Sequence, residues 1–200
     1  MKKIAIVTII LFSQIFSQEL ENNENPWSFY GGISTMSASG DEIIEPGRLM
    51  GFNIGIMRTV SENLTVGAGY TKRGFSDSFY LVDYNVNADI EWDLSGIELF
   101  ATYNLFPIGN GIFWAGTSYA VINNADYEAD LETVDGQDVL AIDEEVDFEE
   151  NDFSLLLGMS IPVGTEGSYL NVGYQRSLVE INDYATFNQI FAELSFPLNL

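Results

Sequence analysis

The chain has 200 residues, and its 30 acidic and 7 basic side chains give a formal charge of −23. A hydrophobic content of 46% is too high for an acidic disordered chain, and the acidic excess argues against nucleic acid as a partner. The absence of Cys and His excludes disulfides, thiolate zinc sites and catalysis by Ser-His or Cys-His pairs.

Residues 1–18 are predicted to form a secretory signal peptide. Lys2 and Lys3 precede a nine-residue apolar run, 4–12, and a polar stretch, 13–18, which is the order of regions in such peptides. The run is too short for a membrane-spanning helix, which needs about twenty residues. A buried N-terminal strand is the alternative interpretation. Residues 19–26 are then expected to be a polar periplasmic tail.

From residue 27 onward, apolar residues alternate with small or polar ones, and no sustained helical stripe occurs. In the second segment, for example, Phe52, Ile54 and Ile56 alternate with glycine and asparagine. A period of two is typical of strands. Eight strands are predicted, at residues 27–37, 49–60, 64–73, 96–105, 113–121, 154–163, 170–175 and 189–196. The predicted fold class is therefore all-β, an eight-stranded antiparallel up-and-down transmembrane β-barrel over residues 27–200.

The predicted connections alternate between short and long. Short ones lie at residues 61–63, 107–111 and 164–167, whereas longer ones surround residues 40–47, start at Ser76, and start at Asn123. Strict alternation places the short turns at one rim of the barrel and the long loops at the other.

The apolar rows are expected to face lipid and the glycine-rich rows to face the lumen, because a lipid face must be apolar. Glycine has no evident benefit on the solvent side of a soluble sandwich, but in a narrow barrel it makes room for Phe100, Trp114 and Phe191. Aromatic residues near strand ends predict two girdles. The set is Trp27, Phe29, Phe106, Phe113 and Tyr169 toward the short turns, and Phe75, Trp92, Tyr119 and Phe187 toward the long loops.

The pattern resembles the small eight-stranded outer-membrane barrels of the "outer membrane protein beta-barrel domain" family, with an OmpX- and OmpA-like architecture. The resemblance rests on the predicted signal peptide, on the opening Trp-Ser-Phe-Tyr-Gly-Gly (27–32), on the block from Gly96 to Pro107, and on Phe-Trp-Ala-Gly (113–116). It covers nearly all of the chain after the signal peptide. It implies a location in the bacterial outer membrane, with the lipid bilayer as a partner.

Acidic residues concentrate in the segment 123–152. No Lys or Arg occurs between Arg73 and Arg176, and thirteen acidic residues lie between Asp126 and Asp152. Acidic and other residues alternate from Asp126, so this loop is expected to extend as a hairpin turning at Asp135-Gly136. It is either a solvated face or a site for weak binding of a divalent cation or a basic partner. The spacing of an EF-hand is absent.

Three charged residues fall on predicted lumen positions, namely Arg73, Glu98 and Glu193. Buried charges need partners, so an internal Arg–Glu network is the structural prediction. A polar permeation path and a catalytic carboxylate pair are the alternatives.

The leading functional prediction is a non-enzymatic barrel that exposes acidic extracellular loops for a structural, adhesive or binding role. It has no predicted catalytic, cofactor or metal site, and a monomer is expected. One alternative is a narrow channel for small solutes. The other is a soluble secreted ligand-binding barrel, whose apolar rows would face inward.

Overall fold

The computed structural model describes residues 27–39, 47–81, 85–133, 138–164, 167–178 and 186–198. The predicted signal peptide and polar tail, residues 1–26, lie outside these ranges, as does the predicted Asp135-Gly136 turn.

Eight antiparallel strands close into one barrel. Each strand pairs with the next, and β8 pairs with β1 through twelve registered residue pairs. The strands are β1 Trp27–Ser39, β2 Leu49–Thr59, β3 Leu64–Leu81, β4 Val86–Ile108, β5 Gly111–Thr133, β6 Asp138–Pro162, β7 Tyr169–Ser177 and β8 Thr186–Pro197. The predicted strand number and fold class are confirmed. Across the described residues, no helix is long and apolar enough to cross a membrane.

Tight turns join β2 to β3, β4 to β5 and β6 to β7 at one end of the barrel, here called the short-turn rim. The backbone of Ser61 and Leu64 exchanges hydrogen bonds across the first turn. Gly109 in the second turn has φ +58°, and Gly164 in the third has φ +62°. Only glycine adopts this left-handed region without steric cost, so these two positions fix where the chain reverses.

The opposite end of the barrel is here called the hairpin end, because the β3–β4 and β5–β6 pairs extend there beyond the other strands. β3, β4, β5 and β6 have 18, 23, 23 and 25 residues, whereas β7 has 9. The prediction of a long loop from Ser76 was wrong, because Ser76 pairs with Glu91 and the ladder continues to Leu81 and Val86. The consecutive polar residues Ser76, Asp77 and Ser78 suggested a loop, but they continue the paired strand, with Asp77 buried and the two serines half-buried. The acidic segment does extend as a hairpin, as predicted.

The two faces of the wall have the predicted orientation. Ile54 and Leu157 are exposed on the outside. A Cβ atom on Gly67 would overlap the ring of Phe100, and one on Gly173 would overlap the ring of Phe191. The apolar rows therefore do not form an interior core, which is what a soluble ligand-binding barrel would require.

The aromatic girdles are only partly as predicted. Phe29 and Phe106 are exposed on the outer face near the short turns. Phe75 and Phe187, however, are buried inside the barrel, and Trp92 packs against them. The prediction of an outer girdle from these three residues was wrong, because their strand phase points inward. Tyr169 likewise lines the lumen.

Candidate functional site

An apolar cluster fills the lumen toward the hairpin end, and we call it the apolar plug. Its buried members are Met36, Ala38, Phe75, Leu94, Ile122, Ala125 and Phe187, with Trp92 packed against them. The rings of Phe75 and Phe187 lie 5.2 Å apart between centroids. Since these residues come from β1, β3, β4, β5 and β8, the plug ties together more than half of the barrel wall.

A buried ion pair is a second feature of the barrel interior. Arg73 Nη2 lies 3.2 Å from Asp152 Oδ2, and the two side chains are 2% and 1% exposed. Asp152 also accepts hydrogen bonds from the hydroxyls of Ser154 and Ser177, at 3.0 and 2.7 Å. Arg73 Nη1 donates to Gln189 Oε1 at 3.4 Å. The carboxylate is thus held by one cation and two hydroxyl donors, as a buried charge requires.

The predicted Arg–Glu network is therefore wrong in its partner. Arg73 is internal, as expected, but it pairs with Asp152 rather than with Glu98 or Glu193. Asp152 was predicted to belong to the acidic loop. Asp152 lies two residues before the inward-facing Ser154, and alternate residues of a strand share a face. The period of two therefore already indicates that Asp152 points into the lumen.

The two glutamates are held by amide side chains instead. Gln175 Nε2 donates to Glu98 Oε1 at 2.8 Å and to Ser118 Oγ at 3.0 Å. Asn53 Nδ2 donates to Glu193 Oε1. These contacts leave both glutamates with neutral hydrogen-bond partners.

A cavity of about 370 Å³ occupies the lumen around these glutamates. Its walls include two aromatic pairs. Tyr30 meets Phe100 edge to face at 5.5 Å, and Trp114 stacks on Phe191 at 6.2 Å. The lining reaches Glu62, in the β2–β3 turn. The cavity therefore lies toward the short-turn rim, whereas the apolar plug lies toward the hairpin end.

The outer surface divides into an apolar belt and a charged extension. On β4, the outer face is apolar over nine residues, from Ile97 to Leu105, both of which are exposed. Nine residues is the length that a tilted strand needs to cross a bilayer. Just beyond this stretch, Lys72 Nζ lies 2.9 Å from Asp93 Oδ2. Charges thus begin where the belt ends, and a contiguous apolar surface of this kind marks contact with lipid.

Beyond the belt, β4 and β5 carry facing rows of acidic residues. The registered pairs are Asp89 with Asp130, Glu91 with Glu128, and Asp93 with Asp126. These six residues, which we call the acidic sheet, lie on the outer face and are exposed or half-exposed. On β6, the backbone partners of Asp126 and Glu128 are Glu145 and Asp143.

Directly opposed side chains in an antiparallel pair have Cβ atoms about 4.5–5.5 Å apart, and like charges at that separation destabilise the sheet. Of the described residues, no three Asp or Glu side chains are grouped closely enough to hold a metal ion. The acidic sheet is therefore a broad negative surface rather than a preformed metal site.

Comparison with known proteins gives similarity at the level of structure. No protein-family model matches the sequence, and no curated protein sequence matches it. The chain is similar to Neisserial surface protein A, with a TM-score of 0.50 and 15% identity over 86% of this chain and 97% of that one. It is also similar to the outer membrane protein OprG of Pseudomonas aeruginosa, with a TM-score of 0.48 and 10% identity over 87% and 97% of the two chains.

The attachment invasion locus protein Ail of Yersinia pestis is a third similar structure, with a TM-score of 0.48 and 10% identity over 86% of this chain and 99% of that one. At such identities the likeness concerns the fold. The chain is therefore an eight-stranded β-barrel of the small outer-membrane type, as its sequence pattern predicts, with the apolar surface of a protein embedded in a bilayer.

Proposed function

We propose that the protein is a non-enzymatic, monomeric barrel of the bacterial outer membrane that displays the acidic sheet outside the cell to bind a basic partner. The facing carboxylate rows of β4 and β5 carry this proposal. Like charges in register reduce stability, so a chain that concentrates them on one exposed face bears a cost that a cationic partner would offset.

The position of the acidic sheet supports this role. It lies beyond the apolar belt, on strands that continue past the Lys72–Asp93 pair. Among the described residues, Lys72 is the only basic residue that pairs with one of its six carboxylates. A negative surface of this kind attracts cationic partners over distances of about 10 Å at ordinary ionic strength.

A variant with four substitutions that each remove one negative charge tests the proposal. The substitutions are Asp89→Asn, Glu91→Gln, Glu128→Gln and Asp130→Asn, and the protein that carries them is called the fourfold variant. The wild-type barrel in nanodiscs is expected to bind a decalysine peptide, with an affinity that falls as salt rises. The variant is expected to bind about tenfold more weakly, because exposed ion pairs contribute up to about 1 kcal/mol each. Its melting temperature is expected to rise, since the like-charge pairs are removed.

The control is Glu62→Gln, which neutralises one acidic residue in the β2–β3 turn, outside the acidic sheet, and is expected to weaken peptide binding far less than the fourfold variant does. Equal peptide binding by the fourfold variant and the wild type would contradict the proposal. A calcium-induced melting shift in the wild type, without peptide binding, would instead assign the acidic sheet to divalent cations.

The structure gives less support to the alternative of a narrow channel. The apolar plug and the Arg73–Asp152 pair fill cross-sections of an eight-stranded lumen, which is only wide enough for side chains. The wild-type protein is therefore expected to be electrically silent in planar bilayers. Stable, discrete openings would favour the channel.

A further inference from the structure

We propose that the lumen cavity binds a small organic ammonium cation that enters from the short-turn rim. This site is separate from the acidic sheet and does not depend on its function. Four features of the cavity lead to this ligand class: its charge, an unpartnered oxygen, its aromatic walls and its closed end.

The first feature is a pair of carboxyl groups without a basic partner. Glu98 and Glu193 both line the cavity, and no Lys or Arg is among the described residues that line it. The hydrogen bonds described for the two carboxylates come from Gln175 and Asn53, which are neutral. The internal cation, Arg73, is paired with Asp152. A carboxylate removed from water either takes up a proton or pairs with a counter-charge, and the cavity supplies the space for a counter-charge.

The second feature is the side-chain oxygen of Asn53. Asn53 is 8% exposed and lines the cavity, and its Oδ1 atom is buried without a hydrogen-bond partner. Its Nδ2 group donates a hydrogen bond to Glu193 Oε1. Oδ1 is therefore an acceptor without a donor, and most buried acceptors have one. An ammonium group carries three N–H donors and no acceptor, so it complements this oxygen and the two carboxylates.

The third feature is the aromatic wall. The rings of Phe100, Trp114 and Phe191 line the same cavity as the carboxylates. Ring faces attract organic cations, and they provide apolar contact for the carbon chain that such a cation carries. A hydrated metal ion fits less well, because calcium and magnesium need about six oxygen ligands. The volume of about 370 Å³ lies within the usual range for small-molecule sites.

The fourth feature is access. The cavity lining reaches Glu62, which adds negative charge where the cavity meets the rim. The opposite end of the lumen holds the apolar plug. A cation therefore enters and leaves on the short-turn side.

The test is calorimetry on the nanodisc-embedded barrel with 1,4-diaminobutane, and with 1,4-butanediol as a neutral analogue. The fourfold acidic-sheet variant serves as the background, so that binding to the outer surface is weakened. We expect the diamine to bind at least about tenfold more tightly than the diol, and Glu193→Gln and Glu98→Gln each to remove about tenfold of that affinity. In NMR spectra the indole N–H signal of Trp114 is expected to move, whereas that of Trp27, which lies against Arg58 on the outer face, is not.

Either glutamate variant provides the test if the other fails to fold. Equal affinity for diamine and diol, unchanged affinity in a folded glutamate variant, or a signal change at Trp27 instead of Trp114 would each overturn the proposal. Loss of peptide binding to the acidic sheet has no bearing on these outcomes.

Discussion

Replacing Arg73 with Met is expected to lower the free energy of unfolding by about 3–5 kcal/mol, because it leaves the buried carboxylate of Asp152 without its cation. The remaining donors, Ser154 and Ser177, are hydroxyls and carry no charge. The measurement is urea unfolding of the barrel in lipid vesicles, followed by the heat-modifiable gel mobility of the folded form.

Two further variants separate the charge effect from packing. Asp152→Asn is expected to be similarly destabilising, because it leaves the guanidinium uncompensated. The double variant Arg73→Met, Asp152→Leu is expected to recover most of the loss, since a buried ion pair contributes little net stability over apolar residues of similar size. A double variant as unstable as the sum of the single variants would contradict a direct interaction.

Phe187→Ala is expected to lower the free energy of unfolding by about 3–5 kcal/mol, the range for removing a fully buried phenylalanine ring. Phe187 is 5% exposed and packs on Phe75 within the apolar plug. Urea unfolding in the same vesicles measures the change. The matched control is Phe153→Ala, because Phe153 is 42% exposed on the outer face.

Lipid chains fill the space that a truncated Phe153 leaves, so its loss is expected to be clearly smaller than that of Phe187. Equal losses for the two variants would mean that the plug is not a packed core. Phe75→Ala is expected to behave like Phe187→Ala, since both rings belong to the same cluster.

The fold was predictable because strand geometry imposes a period of two on any wall with one apolar side. Ile54, Leu99 and Leu157 mark that side in the sequence, and the glycines opposite them mark the crowded side. The limits of β3 and β4 were not predictable in the same way. Beyond Ser76 the outer face meets water instead of lipid. The outward-facing residues there are no longer regularly apolar, so the alternating pattern weakens in the sequence, although the hydrogen-bonded ladder continues.

The interior was less predictable than the wall. The phase of a strand shows that Arg73 and Glu98 point inward. It does not show the position of each residue along the barrel axis relative to residues on distant strands. That position depends on the stagger between strands around the closed barrel. Asp152 meets Arg73 because β3 and β6 are offset in this way, although 79 positions separate the two residues in the sequence. The assignment of Phe75 and Phe187 to an outer girdle has a different cause, because the phase that they share with Arg73 and Phe191 already places them inside the barrel.

The location of the apolar plug has a consequence for exchange. The cavity lies toward the short-turn rim and the apolar plug toward the hairpin end. Under the proposal of a lumen site, a ligand that enters from the short-turn rim therefore meets the plug before it can reach the hairpin end. The proposed site would then exchange its ligand with the compartment on the short-turn side, so its occupancy would follow the ligand concentration in that compartment.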